Sequence, residues 1–114
     1  PAGTLDQATV FAAMPHRERK KAPRFFRGLG ALFAGRAHLR QGGSSAMAMM
    51  ALADGSLCAY WGISQAPWDY AAGSLIAREA GLAVPSRLLT HALKTQDVLI
   101  CPKPLAPSLS RLLA

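Results

Sequence analysis

Acid is what this 114-residue sequence has least of: six Asp and Glu residues stand against 13 Lys and Arg, for a net charge of +7. The six are Asp6, Glu18, Asp54, Asp69, Glu79 and Asp97, and none pair at D-x-x-D spacing. Mg²⁺ asks for several oxygen ligands in near-octahedral geometry, so a centre of that kind is beyond this chain alone. Cysteine is scarce too. Cys58 and Cys101 sit in separate apolar runs, and His16, His38 and His91 are scattered without C-x-x-C or H-x-x-x-H spacing, which argues against zinc. The expected state is two buried free thiols in a reducing cytoplasm, with one disulfide as the alternative. Between Gln41 and Trp68 only Asp54 is charged, yet Gly, Ser and Pro punctuate the run, so it does not make a membrane span. There is no repeat and no internal boundary. The length allows one domain with a modest core. The chain begins at Pro1 rather than Met and shows no secretory leader, which reads as a fragment. Its hydrophobic content of 51% is rich for this size, as though some surface packs on further chain.

What is present alternates between strand and helix signals. Thr9 to Ala13 reads as a buried strand ending at Met14-Pro15. Pro23 opens a helix through Ala34, with Gly35 as its stop. Ala37 to Arg40 is a short strand, Gly42-Gly43 a turn, and Ser44 or Ser45 the cap of a helix through Asp54, stopped by Gly55. Leu57 to Trp61 predicts a strand and Gly62 to Pro67 a loop. A helix follows from Asp69, with Ala72, Leu75, Ile76 and Ala80 expected on its core face and Gly81 as a left-handed stop. Leu82 to Val84 and Val98 to Cys101 suggest strands, and Leu105, Leu109, Leu112 and Leu113 a final amphipathic helix. The class is α/β.

The basic stretch of Arg17, Arg19, Lys20, Lys21, Arg24 and Arg27 admits a nucleic-acid patch. A solvated helix face and its approach is the favoured reading, because the helix pattern turns one of Phe25 and Phe26 inward and spoils a stacking platform. Nucleic acid is therefore not the expected partner. The positive field would also draw in phosphorylated small molecules.

The densest signal is Trp68-Asp69-Tyr70-Ala71-Ala72-Gly73-Ser74-Leu75-Ile76-Ala77-Arg78-Glu79-Ala80-Gly81. Asp69 follows Pro67-Trp68 and is well placed as an N-cap, a role compatible with holding a cation on its other lone pairs. Upstream stand Leu39-Arg40-Gln41-Gly42-Gly43-Ser44-Ser45-Ala46 and Asp54-Gly55-Ser56-Leu57-Cys58-Ala59-Tyr60-Trp61. The two blocks, in order and at matching separation, resemble the inositol monophosphatase family, whose patterns are R-S-x-G-S-A-A, a helix, D-A-Y-W-E, and W-D-x-A-A-G-x-L-I-x-x-E-A-G-G.

The resemblance implies the C-terminal half of a layered α-β-α-β-α sandwich of the sugar phosphatase type, with residues 1–114 forming that portion and the N-terminal half absent. It implies a Mg²⁺-dependent phosphatase acting on a phosphate monoester of a sugar or polyol, or alternatively on a nucleotide 3′-phosphate or histidinol phosphate. A non-catalytic relic or basic binding module is the rival. Asp69 would ligate Mg²⁺, and Gly43, Ser44, Ser45 and Asp69 would contact substrate, although plain capping also accounts for the two serines. A homodimer is implied for the full-length protein. The family's D-P-x-D-G-T, with its other ligands and activating Thr, is missing, so the chain alone is expected to be inactive. Gly62 stands where inositol-selective members carry a substrate-gripping Glu, and Cys58 where the family has Asp; inositol itself is therefore not implied.

Overall fold

β-Branched and aromatic residues in two short apolar runs build the centre of the molecule, as a computed structural model shows for residues 4–16, 18–41, 45–65, 71, 75–84 and 96–113. β1 (Thr9–Ala13) is buried along all but its first residue. β2 (His38–Arg40) and β3 (Ala59–Gln65) pair with it in parallel, and β4 (Gln96–Ile100) closes antiparallel on β3, giving the order β2-β1-β3-β4. Burial on both faces is what a parallel sheet requires of its central strands. Alternation splits their side chains cleanly: Val10, Ala12, Trp61 and Ile63 point to one face, Phe11, Ala13 and Tyr60 to the other.

α1 (Ala22–Ala34) covers the first face and α2 (Ser45–Ala53) the second. α1 enters from a 3-10 turn at Arg19–Lys21 with Pro23 in its first turn, where the missing N–H costs nothing. It seats Phe25 and Leu32 in the core, and the Phe25 ring stacks on Trp61 at 5.1 Å between centroids. Gly28 makes that approach possible, since a Cβ there would lie 2.5 Å from the Trp61 ring. Arg24, in the first turn, donates to Asp97 of β4 at 2.6 Å and pins the helix to the edge strand. That carboxylate holds the guanidinium pKa above its ordinary value, against the opposing pull of burial. α3 (Ala106–Leu112) packs on the same face through Leu109.

Several expectations shift. Gly35 does end α1, but at φ −79° it is not left-handed; Arg36 takes that conformation at φ 70°. A Cβ at Gly35 would meet the tip of the Leu5 side chain at 2.4 Å, so Leu5 would have to shift to admit one. Gly55 and Gly81 do take positive φ, at 87° and 86°. β3 extends to Gln65, through what reads as a loop, because its later residues pair with β4 across a bulge. The segment at 82–84 contributes only a single bridge, Ala83 to Cys101. The helical residues 75–79 turn a different face inward than expected: Ala77 is buried, whereas Leu75 and Ile76 are 61% and 47% exposed and Ala80 is exposed. An Ala against the sheet lets the backbone come close, and the larger side chains are left on the outer side. Ala72 lies outside the described residues. Both cysteines are free, Cys101 buried as expected and Cys58 only half-buried. Among the described residues no helix is long and apolar enough to cross a membrane.

Candidate active-site edge

β2, β1 and β3 run parallel, so their carboxyl ends at Arg40, Ala13 and Gln65 share one edge of the sheet. From β1 the chain departs to α1 on one face. From β2 it departs to α2, and from β3 towards the helical residues 75–79, on the other face. The exits thus diverge on either side of β1, which makes its carboxyl end a topological switch point, the place where open α/β sheets bind ligands. Residues 42–44 follow β2 and residues 66–70 follow β3, so the two sequence blocks leave strands that flank this point. Ser45 is the first residue of α2. Gly43, Ser44 and Asp69 lie outside the described residues.

The end of β3 carries polar structure that its sequence did not announce. Ala13 pairs with Gly62. The next ladder contact with β4 is Gln65 to Gln96, after a bulge. Bulges re-aim a strand and recur beside active sites. The Gln65 side chain folds back over Gly62, where a Cβ would meet its Cγ at 2.7 Å. The Tyr60 hydroxyl donates to Gln65 Oε1 at 2.9 Å, and Gln65 Nε2 donates to the Ile63 carbonyl at 3.0 Å. A buried amide so engaged is satisfied and rigid. The space above Gly62 is therefore taken by an amide whose donors and acceptors already serve the fold. The available signal was the lone Gln65 closing an apolar run; reading the stretch as loop hid it.

The carboxylates do not converge. Asp54 lies at the far end of α2 and accepts hydrogen bonds from the Ser56 amide, at 2.8 Å, and from the Ser56 hydroxyl. Those bonds hold its carboxyl below the usual range. Asp97 faces Arg24 at 2.6 Å, and Glu18 faces Lys21 at 3.6 Å. Among the described residues no three His, Cys, Asp or Glu side chains come together as metal ligands. The described donor set does not fit Mg²⁺, and Asp69 lies outside the described residues.

Among the described residues, clefts open at both ends of β1. The larger, about 580 Å³, lies where the chain enters β1 and β3; Thr9, Leu52, Ser56, Cys58 and Pro102 line it, and no charged side chain does. The smaller, about 200 Å³, sits at the carboxyl end of β1 between Met14, Pro15, His16, Arg19, Ala22 and Phe26. Position and cation favour the smaller for an anionic ligand, although the other is roomier.

The sequence pattern of the inositol monophosphatase family matches residues 1–110. A curated relative, the Nus factor SuhB of Vibrio cholerae, is 37% identical over 84 residues, covering 74% of this chain and 32% of that protein. The chain thus spans about a third of that relative's length. Among solved structures, the extragenic suppressor protein SuhB of Bartonella henselae superposes with a TM-score of 0.86 at 24% identity, over 98% of this chain and 43% of that one. The inositol monophosphatase of Anabaena (Nostoc) sp. PCC 7120 gives 0.83 at 25% identity, over 98% and 47%.

Proposed function

The chain belongs to the inositol monophosphatase family, and from that membership we propose that it is the C-terminal portion of a longer phosphatase that hydrolyses a phosphate monoester of a sugar or polyol with Mg²⁺. The observation that carries this reading is the switch point at the carboxyl end of β1, flanked by the strands that lead into the Gly43-Ser44 and Trp68-Asp69 segments. Enzymes of the family are metal-dependent. When bound, the metal supplies an activated water and neutralises charge on the leaving oxygen. Asp69 contributes one ligand, and the others come from outside these residues. Gly43, Ser44 and Ser45 receive substrate, since the backbone N–H groups of a helix N-terminus and nearby hydroxyls suit a phosphate or a polyol. Gln65 over Gly62 disfavours inositol as the substrate, since no Glu is there to accept from its hydroxyls. Nucleotide 3′-phosphates and histidinol phosphate are the alternative substrates. The free thiols support a reducing cytoplasm, and the full-length protein is expected to be a homodimer.

A second reading has one specific observation behind it: the curated relatives are named Nus factors, and this chain carries a net charge of +7. On that reading the basic face of the 3-10 turn and α1 meets a partner in transcription and no turnover is needed. One experiment separates the two. The full-length protein is assayed against a panel of phosphate monoesters with and without Mg²⁺, alongside residues 1–114 alone. The phosphatase reading expects Mg²⁺-dependent turnover by the full-length protein and none by residues 1–114. Absence of turnover by both, joined to salt-sensitive RNA binding, would replace it with the second reading.

A further inference from the structure

The larger cleft and the two thiols near it have no part in the phosphatase reading. We propose that Cys58 and Cys101 are a redox-sensitive pair: a low-molecular-weight disulfide entering that cleft is reduced to two thiols, while the two cysteines join in a disulfide that clamps the start of β3 to the end of β4. The inference stands whether or not the protein is a phosphatase.

The strand register brings the two residues together. Tyr60 pairs with Ile100 in the antiparallel β3–β4 ladder, so Ala59 stands across from Cys101 and Cys58 one residue further on. With strands about 4.8 Å apart and about 3.4 Å per residue, that diagonal puts their Cα atoms about 6 Å apart, inside the roughly 4.4–6.8 Å that a disulfide spans. Strict alternation would send the Cys58 side chain to the face opposite Cys101. The chain bends at Cys58 instead, and its side chain packs against the first-face cluster in which Cys101 is buried. Each backbone is held from its far side. Cys58 N–H donates to the Thr9 carbonyl at 3.1 Å, and Cys101 exchanges hydrogen bonds of 3.0 and 2.7 Å with Ala83. The two are neighbours in a fixed frame, and neither is in a disulfide.

The cleft supplies access. Its volume of about 580 Å³ falls within the roughly 300–1,000 Å³ that takes a whole small molecule. Cys58 lines it, as does Pro102 next to Cys101, and its rim at Gln7, Gly55 and Ser56 is exposed. Half-buried Cys58 therefore meets the reagent first. Cys101 is the slower partner, because burial, and then the charge of Cys58, push its thiol up to about 12. That order sets the steps. The Cys58 thiolate attacks one sulfur of the small disulfide, forming a mixed disulfide and expelling one thiolate; the Cys101 thiolate then attacks Cys58 Sγ and expels the other. The two expelled thiolates take up the two protons that the cysteines lose, so the small disulfide is reduced by two electrons and the cysteine pair is oxidised by two. The new bond closes a long loop between β3 and β4 and stabilises the fold by restricting the unfolded chain.

The test treats the full-length protein with oxidised glutathione in the absence of denaturant and maps the products by mass spectrometry of proteolytic peptides. Cys58→Ser, Cys101→Ser and Cys101→Ala are treated alongside. The unmutated protein should yield peptides joined through Cys58 and Cys101, which dithiothreitol separates. Both Cys101 variants should stop at a glutathione adduct on Cys58, and Cys58→Ser should carry no adduct on buried Cys101. The crosslinked protein should melt about 5 °C or more above the reduced form. Should the Cys101 variants fail to fold, the peptide map of the unmutated protein decides alone. A glutathione adduct that persists on Cys58 of the unmutated protein, a crosslink that forms only after denaturation, or a melting temperature that fails to rise would overturn the inference.

Discussion

Two glycines in one helix turn, Gly28 and Gly30, should respond to the same substitution with opposite signs. Neither has a positive φ, so Ala is compatible with the backbone at both. At Gly30 nothing lies within 4 Å of the new methyl. There Ala removes unfolded-state freedom and should stabilise by about 0.5–1 kcal/mol. At Gly28 the methyl meets Trp61 at 2.5 and 2.8 Å and Leu113 at 3.2 Å. Trp61 cannot retreat easily, being 3% exposed and stacked under Phe25. Overpacking of this kind costs about 1–3 kcal/mol, and after the helix gain Gly28→Ala should lose about 1–2 kcal/mol. The two variants should differ by about 2 kcal/mol, or roughly 8 °C in melting temperature for a domain of this size. Urea and thermal unfolding followed by tryptophan fluorescence measure the difference. Gly28→Ala proving as stable as Gly30→Ala would refute the described seating of α1 on β3.

Two further outcomes follow from the titratable groups. Because Ser56 hydrogen bonds depress the Asp54 pKa, their contribution to stability is present above the ordinary carboxylate range and is lost as pH falls through the lowered value; in Ser56→Ala, NMR titration should find the Asp54 carboxyl moved up towards that range, and no movement would contradict the contact. Burial pushes the Cys101 thiol up to about 12, so iodoacetamide at neutral pH should label Cys58 first and reach Cys101 only after denaturation; equal labelling of both in the folded protein would contradict its burial.

Local chemistry made much of the fold legible. The bounds of β1 follow from an uninterrupted apolar run, α1 from Pro23 and its helical spacing, and the left-handed stops at Gly55 and Gly81 from their place after helices. What escaped depends on distant partners. The length of β3 is set by pairing with β4, some 35 residues on, and a stretch with Gly62, Ser64 and Gln65 looks like loop until that partner is known. Gly35 was expected as the stop of α1, and its close approach to Leu5 is a contact without local trace. The inward face of residues 75–79 was misassigned because apolar side chains lie on two sides of that helix, and periodicity alone does not rank them. For the site, the two motif blocks run on from β2 and β3 in the chain, while Gly43, Ser44 and Asp69 lie outside the described residues.

The central claim, that this chain supplies a metal-bound phosphatase site through Asp69, is tested most directly by Asp69→Asn in the full-length protein. Asn keeps the size and the capping ability of Asp but not the charge that a hard cation requires. The account predicts near-normal thermal stability together with a large loss of Mg²⁺ binding by calorimetry and of Mg²⁺-dependent phosphate release. Turnover and Mg²⁺ affinity close to those of the unmutated protein would contradict it.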